Sequence, residues 1–176
     1  MAILQIITAP NPIFRQVSSP VESINQEIKE FTINLKDTVE FEGLYGIASN
    51  MVGVLKRIIV VVKDEESFIC MVNPQITWKS DETQTIEEAS ASFPGISAPI
   101  TRSKAIKLVY TDLDGKDQKL EAIGLLSSVI QHEIDYLDGK IFLDYLSPIK
   151  RDMLIKKMSK YIKQNPPHVH GQHCNH

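Results

Sequence analysis

One short run in this chain carries the residue types of metal-assisted hydrolysis: Gln131-His132-Glu133-Ile134-Asp135-Tyr136-Leu137-Asp138-Gly139. On a helix, residues four apart share a face. In a His-Glu-x-x-His motif, two histidines so spaced grip a metal, and the glutamate beside the first acts as general base. Here Tyr136 stands in place of the second histidine. His132 keeps a ligand position and Glu133 keeps the base position.

The end of the chain holds a second concentration of donors. His168, His170, His173 and His176 lie there with Cys174 among them. Such a tract is a candidate for labile metal binding, although its spacing matches no closed zinc module. Just before it, residues 147–164 carry Lys150, Arg151, Lys156, Lys157, Lys160 and Lys163 against one acid, Asp152. Met153, Leu154, Met158, Tyr161 and Ile162 supply an apolar face to the same segment. A basic amphipathic helix is either a solvated face packed on the domain or a contact for an anionic surface such as ribosomal RNA.

These residues need a scaffold. Ile24, Ile28, Phe31, Leu35 and Val39 recur at helical spacing and predict a helix over 25–41. Ile58–Val62 and Ile69–Val72 read as strands, the second ended by Asn73-Pro74. Ala105–Tyr110 reads as a third strand. Asp114-Gly115 then turns the chain, so that Lys119–Ala122 returns antiparallel. Gly124 opens the motif helix and Gly139 closes it, while Ser147-Pro148 starts a last helix that runs to about Gln164. Strands followed by a central helix predict an α+β fold.

Composition is that of an ordinary globular domain. The chain has 176 residues and a net charge of −3, which favours one domain and neither DNA nor membrane as partner. No run approaches the roughly 20 apolar residues of a membrane span. The start, Met1-Ala2-Ile3-Leu4, lacks a basic region, and Pro10 and Pro12 follow closely, so no signal peptide is expected. Cys70 and Cys174 form no disulfide framework, which fits a reducing cytoplasm. The expected organisation is a single domain over 1–164, including the basic helix 147–164, and a flexible tail over 165–176.

Three separated segments together resemble the peptide deformylase family. Leu44-Tyr45-Gly46-Ile47-Ala48-Ser49-Asn50-Met51-Val52-Gly53 is similar to Gly-x-Gly-x-Ala-Ala-x-Gln-x-Gly. Glu87-Glu88-Ala89-Ser90-Ala91-Ser92-Phe93-Pro94-Gly95 is similar to Glu-Gly-Cys-Leu-Ser with its continuation. The helix motif is similar to Gln-His-Glu-x-Asp-His-Leu-x-Gly. Thr8–Arg15 and Thr111–Gly115 resemble the family's opening and hairpin, so the likeness spans about residues 3–147. The resemblance implies mixed, mostly antiparallel sheets around a central motif helix, with a C-terminal helix outside. It also implies removal of formyl from N-terminal formyl-methionine, with Fe²⁺ or Zn²⁺ held by one cysteine and two histidines. A glutamine and a backbone N–H stabilise the oxyanion in that family.

Carried over by position, much of that machinery is missing. His132 matches a ligand and Glu133 the base. Ser90 replaces the cysteine ligand, Tyr136 the second histidine and Met51 the oxyanion glutamine, while Ala91 still offers a backbone N–H. Leu44 and Ala89 replace glycines. A serine hydroxyl stays protonated and ligates weakly, and a phenol must ionise to ligate well. Met51 cannot donate a hydrogen bond, and loss of one oxyanion donor costs about 10²–10³ in rate. The expectation is a protein inactive in deformylation, with no metal in the core pocket, that persists as a binding or regulatory remnant. Gly46, Phe93 and Gly95 match the family's peptide-binding framework. The expected partners are the ribosome or nascent formyl-methionyl chains, reached through the basic helix. Three alternatives stay open: a hydrogen-bonded cluster of Ser90, His132 and Tyr136; an altered metal site on those residues with weak deformylase activity; or a hydrolase with Ser90 as nucleophile and His132 as base.

Overall fold

The computed structural model describes residues 2–166. The tail donors His168, His170, His173, Cys174 and His176 lie outside the described residues.

The first helix, α1, spans Gln26–Glu42. The Asn25 side chain caps it by accepting from the Ile28 N–H. Ile28, Leu35 and Val39 are buried, and Phe31 packs against them. Five strands form the main sheet: β1 Gly46–Ala48, β2 Ile58–Asp64, β3 Ser67–Lys79, β6 Ala105–Thr111 and β7 Asp117–Ile123. Their order is β1-β2-β3-β6-β7, and every pair is antiparallel. Two further strands, β4 Thr83–Ser90 and β5 Phe93–Ser103, pair as a separate antiparallel hairpin. The motif helix α2, Leu125–Leu137, packs on β1, β2, β7 and β5 and so lies between the two sheets. The architecture is the α+β arrangement around a central helix that the sequence predicts. No helix among the described residues is long and apolar enough to cross a membrane.

One strand boundary and one hairpin differ from expectation. β3 does not end at Asn73-Pro74 but runs on to Lys79, with register shifts against β6 between Val72 and Gln75 and between Ile76 and Trp78. The first irregularity absorbs a proline that cannot donate to the ladder. Asn73 there has φ 52°, and its side chain bonds both the N–H and the carbonyl of Val21. The hairpin β4–β5 was not among the expected strands.

The basic helix α3 spans Pro148–Gln164, with the Ser147 hydroxyl as its N-cap. Leu154, Met158 and Ile162, four residues apart, face the domain, and the helix lies on β5. Tyr161 closes over Gly95, where a Cβ would come within 2.3 Å of the ring. Gly95 also has φ 78°, so both backbone and packing require glycine. Met153, expected on the packed face, is 64% exposed beside Ile149 at 79%. Lys150, Lys156, Lys157, Lys160 and Lys163 are exposed.

Candidate functional site

The side chains of α2 turned toward the hairpin form a chain of charges. His132 Nδ1 lies 2.9 Å from Glu88 Oε1. Arg102 Nε lies 3.0 Å from both oxygens of Glu88, and its Nη1 lies 2.8 Å from Asp135 Oδ2. The Tyr145 hydroxyl donates to that same Asp135 oxygen at 2.7 Å, and its ring lies 4.7 Å from the guanidinium carbon. Burial works against ionised Glu88, but hydrogen bonds from His132 and Arg102 outweigh it and hold the carboxyl below its ordinary value. An ionised carboxylate only accepts, so His132 Nδ1 is the donor in this contact. Burial also opposes the Arg102 charge, and the two carboxylates reverse that effect and raise it. Burial and donation to Asp135 push the Tyr145 phenol up to about 12.

Ser90 sits at the end of β4, and its hydroxyl lies 2.6 Å from the Tyr136 hydroxyl. Ser90 Oγ also accepts from the Ser92 N–H at 3.3 Å. Tyr136 is fully buried, with Phe14 and His132 edge-on at 5.7 and 5.3 Å between ring centres. Its backbone carbonyl accepts from Asn50 Nδ2 at 2.8 Å. Burial drives the phenol far above its ordinary range, more than the Ser90 bond draws it back. The hydrogen-bonded cluster expected of Ser90, His132 and Tyr136 therefore forms in part. Ser90 and Tyr136 pair, while His132 touches Tyr136 only by its ring and spends its hydrogen bond on Glu88. The Ser90–His132 nucleophilic pair is not formed.

Beside this pair lies a cavity of about 240 Å³. Met51, Ala89, Ser90, Ala91, His132 and Glu133 line it, together with Leu44, Tyr45 and Gly46. Leu44 and Ala89, which replace glycines, leave it open. Gly46 admits the close approach of β1 to α2, since a Cβ there would meet Val129 at 3.0 Å and Glu133 at 3.1 Å. The Met51 sulfur faces the Ala48 N–H at 3.5 Å. Glu133 is 4% exposed, and its Oε2 has no hydrogen-bond partner among the described residues. Desolvation pushes its carboxyl up to about 7. Phe93 and Gly95 are elsewhere. The Phe93 ring packs with Phe14 and Phe142 in the core, and Gly95 lies under Tyr161. Neither lines the cavity, because Phe93 turns inward at the start of β5 and Gly95 is covered by α3.

The donors here do not suit a divalent ion. Ligands about 2.0–2.3 Å from a tetrahedral metal lie roughly 3.3–3.8 Å apart. Ser90 and Tyr136 approach to 2.6 Å, a hydrogen-bond contact, and both oxygens are neutral. Among the described residues no three His, Cys, Asp or Glu side chains are arranged to hold a metal.

Glu88, Arg102 and Tyr145 were given no role from sequence. One signal was present: Arg102 continues the inward period of Ile96, Ala98 and Ile100 along β5. A charge at a buried strand position requires a partner.

The polypeptide deformylase family model matches residues 3–152. A peptide deformylase-like protein of Rickettsia conorii is 49% identical over 98% of this chain and 96% of its own length. A peptide deformylase of Rhizobium meliloti is 39% identical over 93% of this chain and 96% of its own. The crystal structure of peptide deformylase from Ehrlichia chaffeensis superposes with a TM-score of 0.88 at 33% identity, covering 93% of this chain and 98% of that one. The chain belongs to the polypeptide deformylase family.

Proposed function

We propose that this protein is a family member that does not remove formyl groups from N-formyl-methionyl peptides and that keeps its pocket as a binding site. The observation that carries this reading is the 2.6 Å contact between Ser90 and Tyr136, which joins two positions that would ligate a metal. Two neutral hydroxyls satisfy each other there. Without a bound ion, water stays far too weak an acid to supply hydroxide near neutral pH. Met51 adds no oxyanion donor. Glu133 remains in place, but a base needs an activated water to act on. Ser90 is not read as a replacement nucleophile, since its hydroxyl bonds Tyr136 and, among the described residues, no histidine or carboxylate bonds it.

The proposed partners are nascent formyl-methionyl chain ends or the ribosome in the cytoplasm, approached through exposed Lys150, Lys156, Lys157, Lys160 and Lys163. The test is metal content and formate release, measured together on the full chain and on a chain ended at Asn165, both purified without chelators. The shorter chain should hold no stoichiometric metal and release no formate from a formyl-methionyl peptide. Stoichiometric metal with turnover on the shorter chain overturns the reading. Metal on the full chain alone assigns it to the histidine-rich tail.

A further inference from the structure

The main sheet ends in β7, which pairs only with β6. The two ends of that pairing show which way its backbone groups point. The Gly124 N–H donates to the Lys104 carbonyl and the Asp112 N–H to the Lys116 carbonyl, both at 2.9 Å. The register between them is unbroken. In an antiparallel ladder alternate residues bond the same neighbour. Gln118, Leu120 and Ala122 therefore bond β6, and Asp117, Lys119, Glu121 and Ile123 direct their N–H and C=O groups outward. Among the described residues no group bonds those outward donors and acceptors. An open edge is commonly guarded by proline or a bulge. β7 has neither.

What the edge carries is charge, and that charge is self-complementary. Asp117, Lys119, Glu121 and Ile123 are exposed, in alternation with the inward Gln118, Leu120 and Ala122. Neither Lys119 nor Glu121 has an ion-pair partner among the described residues. Lys107 stands opposite Glu121 on β6, but its ammonium lies over the Trp78 ring, 5.3 Å from the centre.

We infer that β7 pairs with β7 of a second copy of this chain, antiparallel about a two-fold axis at Leu120. That register joins all 7 residues of Asp117–Ile123 and sets outward groups against outward groups. Lys119 then exchanges backbone bonds with Glu121 of the second copy, and Glu121 does the same with the second Lys119. Opposite charges face each other twice, once on each side of the axis. The neighbouring registers, centred on Lys119 or on Glu121, set that residue against its own copy and bring like charges together. The two sheets join edge to edge. A single strand edge is a small interface, so the dimer is reversible, with a Kd in the micromolar range.

Sedimentation velocity of the full chain across micromolar concentrations tests this, with EDTA present so that no metal bridges the copies. Wild type should shift from monomer to dimer as its concentration rises. Lys119→Glu turns both facing pairs into Glu–Glu, and Glu121→Lys turns both into Lys–Lys. Each variant should dimerise at least tenfold more weakly. Both positions are exposed, so each should keep the wild-type circular dichroism. An equimolar mixture of the two variants should recover the dimer, because every facing pair is again Glu–Lys. A wild type that stays monomeric, a dimer that survives either reversal, or a mixture that stays monomeric each overturns the inference. The first of these would leave Lys119 and Glu121 as charges that keep the edge unpaired.

Discussion

The Ser90 hydroxyl and the Tyr136 hydroxyl lie 2.6 Å apart, but they do not depend on each other equally. Tyr136 is fully buried, and Ser90 is the only described side chain that bonds its hydroxyl. Ser90 keeps a second bond, from the Ser92 N–H. Ser90→Ala therefore orphans a buried hydroxyl and should cost about 1–3 kcal/mol. Tyr136→Phe removes the bond without orphaning its partner and should cost about 0.5–1.5 kcal/mol. The double variant should be more stable than the sum of the two losses. Urea unfolding of all four proteins measures this cycle, and strict additivity would show that the contact contributes nothing.

Arg102 joins β5 to α2 through Glu88 and Asp135, and it is 5% exposed. Arg102→Met leaves both carboxylates without their cation. Breaking a buried pair by removing one partner costs about 3–5 kcal/mol. The sign of the pH dependence follows from Glu88, whose carboxyl is held below its ordinary value. Its stabilising contribution is present above the unfolded value of 4.5 and is lost as pH falls through the folded one. The gap between wild type and variant should therefore narrow as pH drops below 4.5. A gap that stays constant to pH 3 would mean that the loss is one of packing, not of charge.

Glu133 has the opposite sign. Its carboxyl is pushed up to about 7 by desolvation from an ordinary 4.5. The folded protein then holds the proton more tightly than the unfolded chain. That contribution is complete below pH 4.5 and is lost as pH rises through about 7. The decline across this window is on the order of 3 kcal/mol. Glu133→Gln removes it, so the variant should match wild type near pH 4 and be more stable at pH 8. Denaturation at several pH values checks this, and parallel profiles for the two proteins would contradict it.

The three helices were legible because each carries both a periodic apolar stripe and end signals. Asn25 and Ser147 cap as their types suggest, and Leu35 and Val39 are buried as the stripe requires. The hairpin β4–β5 was missed although Ile96, Ala98, Ile100 and Arg102 alternate inward. Pro94 and Pro99 interrupt that run, and prolines usually demote a strand. The lost site was legible by position, because motif residues could be counted against a pattern. Its present bonding was not. Whether Ser90 turns to His132 or to Tyr136 depends on Glu88, which claims the histidine from 44 residues away in sequence. Arg102, which holds Glu88 ionised, is a residue no local motif marks.

The three changed positions sit on three different elements: Met51 on the short turn after β1, Ser90 at the end of β4 and Tyr136 on α2. His132 is already held by Glu88 through Nδ1, which leaves its other ring nitrogen for a ligand. Replacing all three with the family's residues, Met51→Gln, Ser90→Cys and Tyr136→His, should therefore rebuild a tetrahedral donor set without refolding the domain. Exchange of buried Tyr136 for histidine removes volume next to Phe14, so the metal-free variant should be less stable by about 1–3 kcal/mol. Zinc should restore that stability and bind near one equivalent, and formate release should appear only in the triple variant. Ser90→Cys alone should gain little, because Tyr136 still fills the position of the third ligand. A triple variant that folds yet binds no zinc would show that the scaffold around the cavity has moved beyond recovery of the site, and that its loss is not confined to these three side chains.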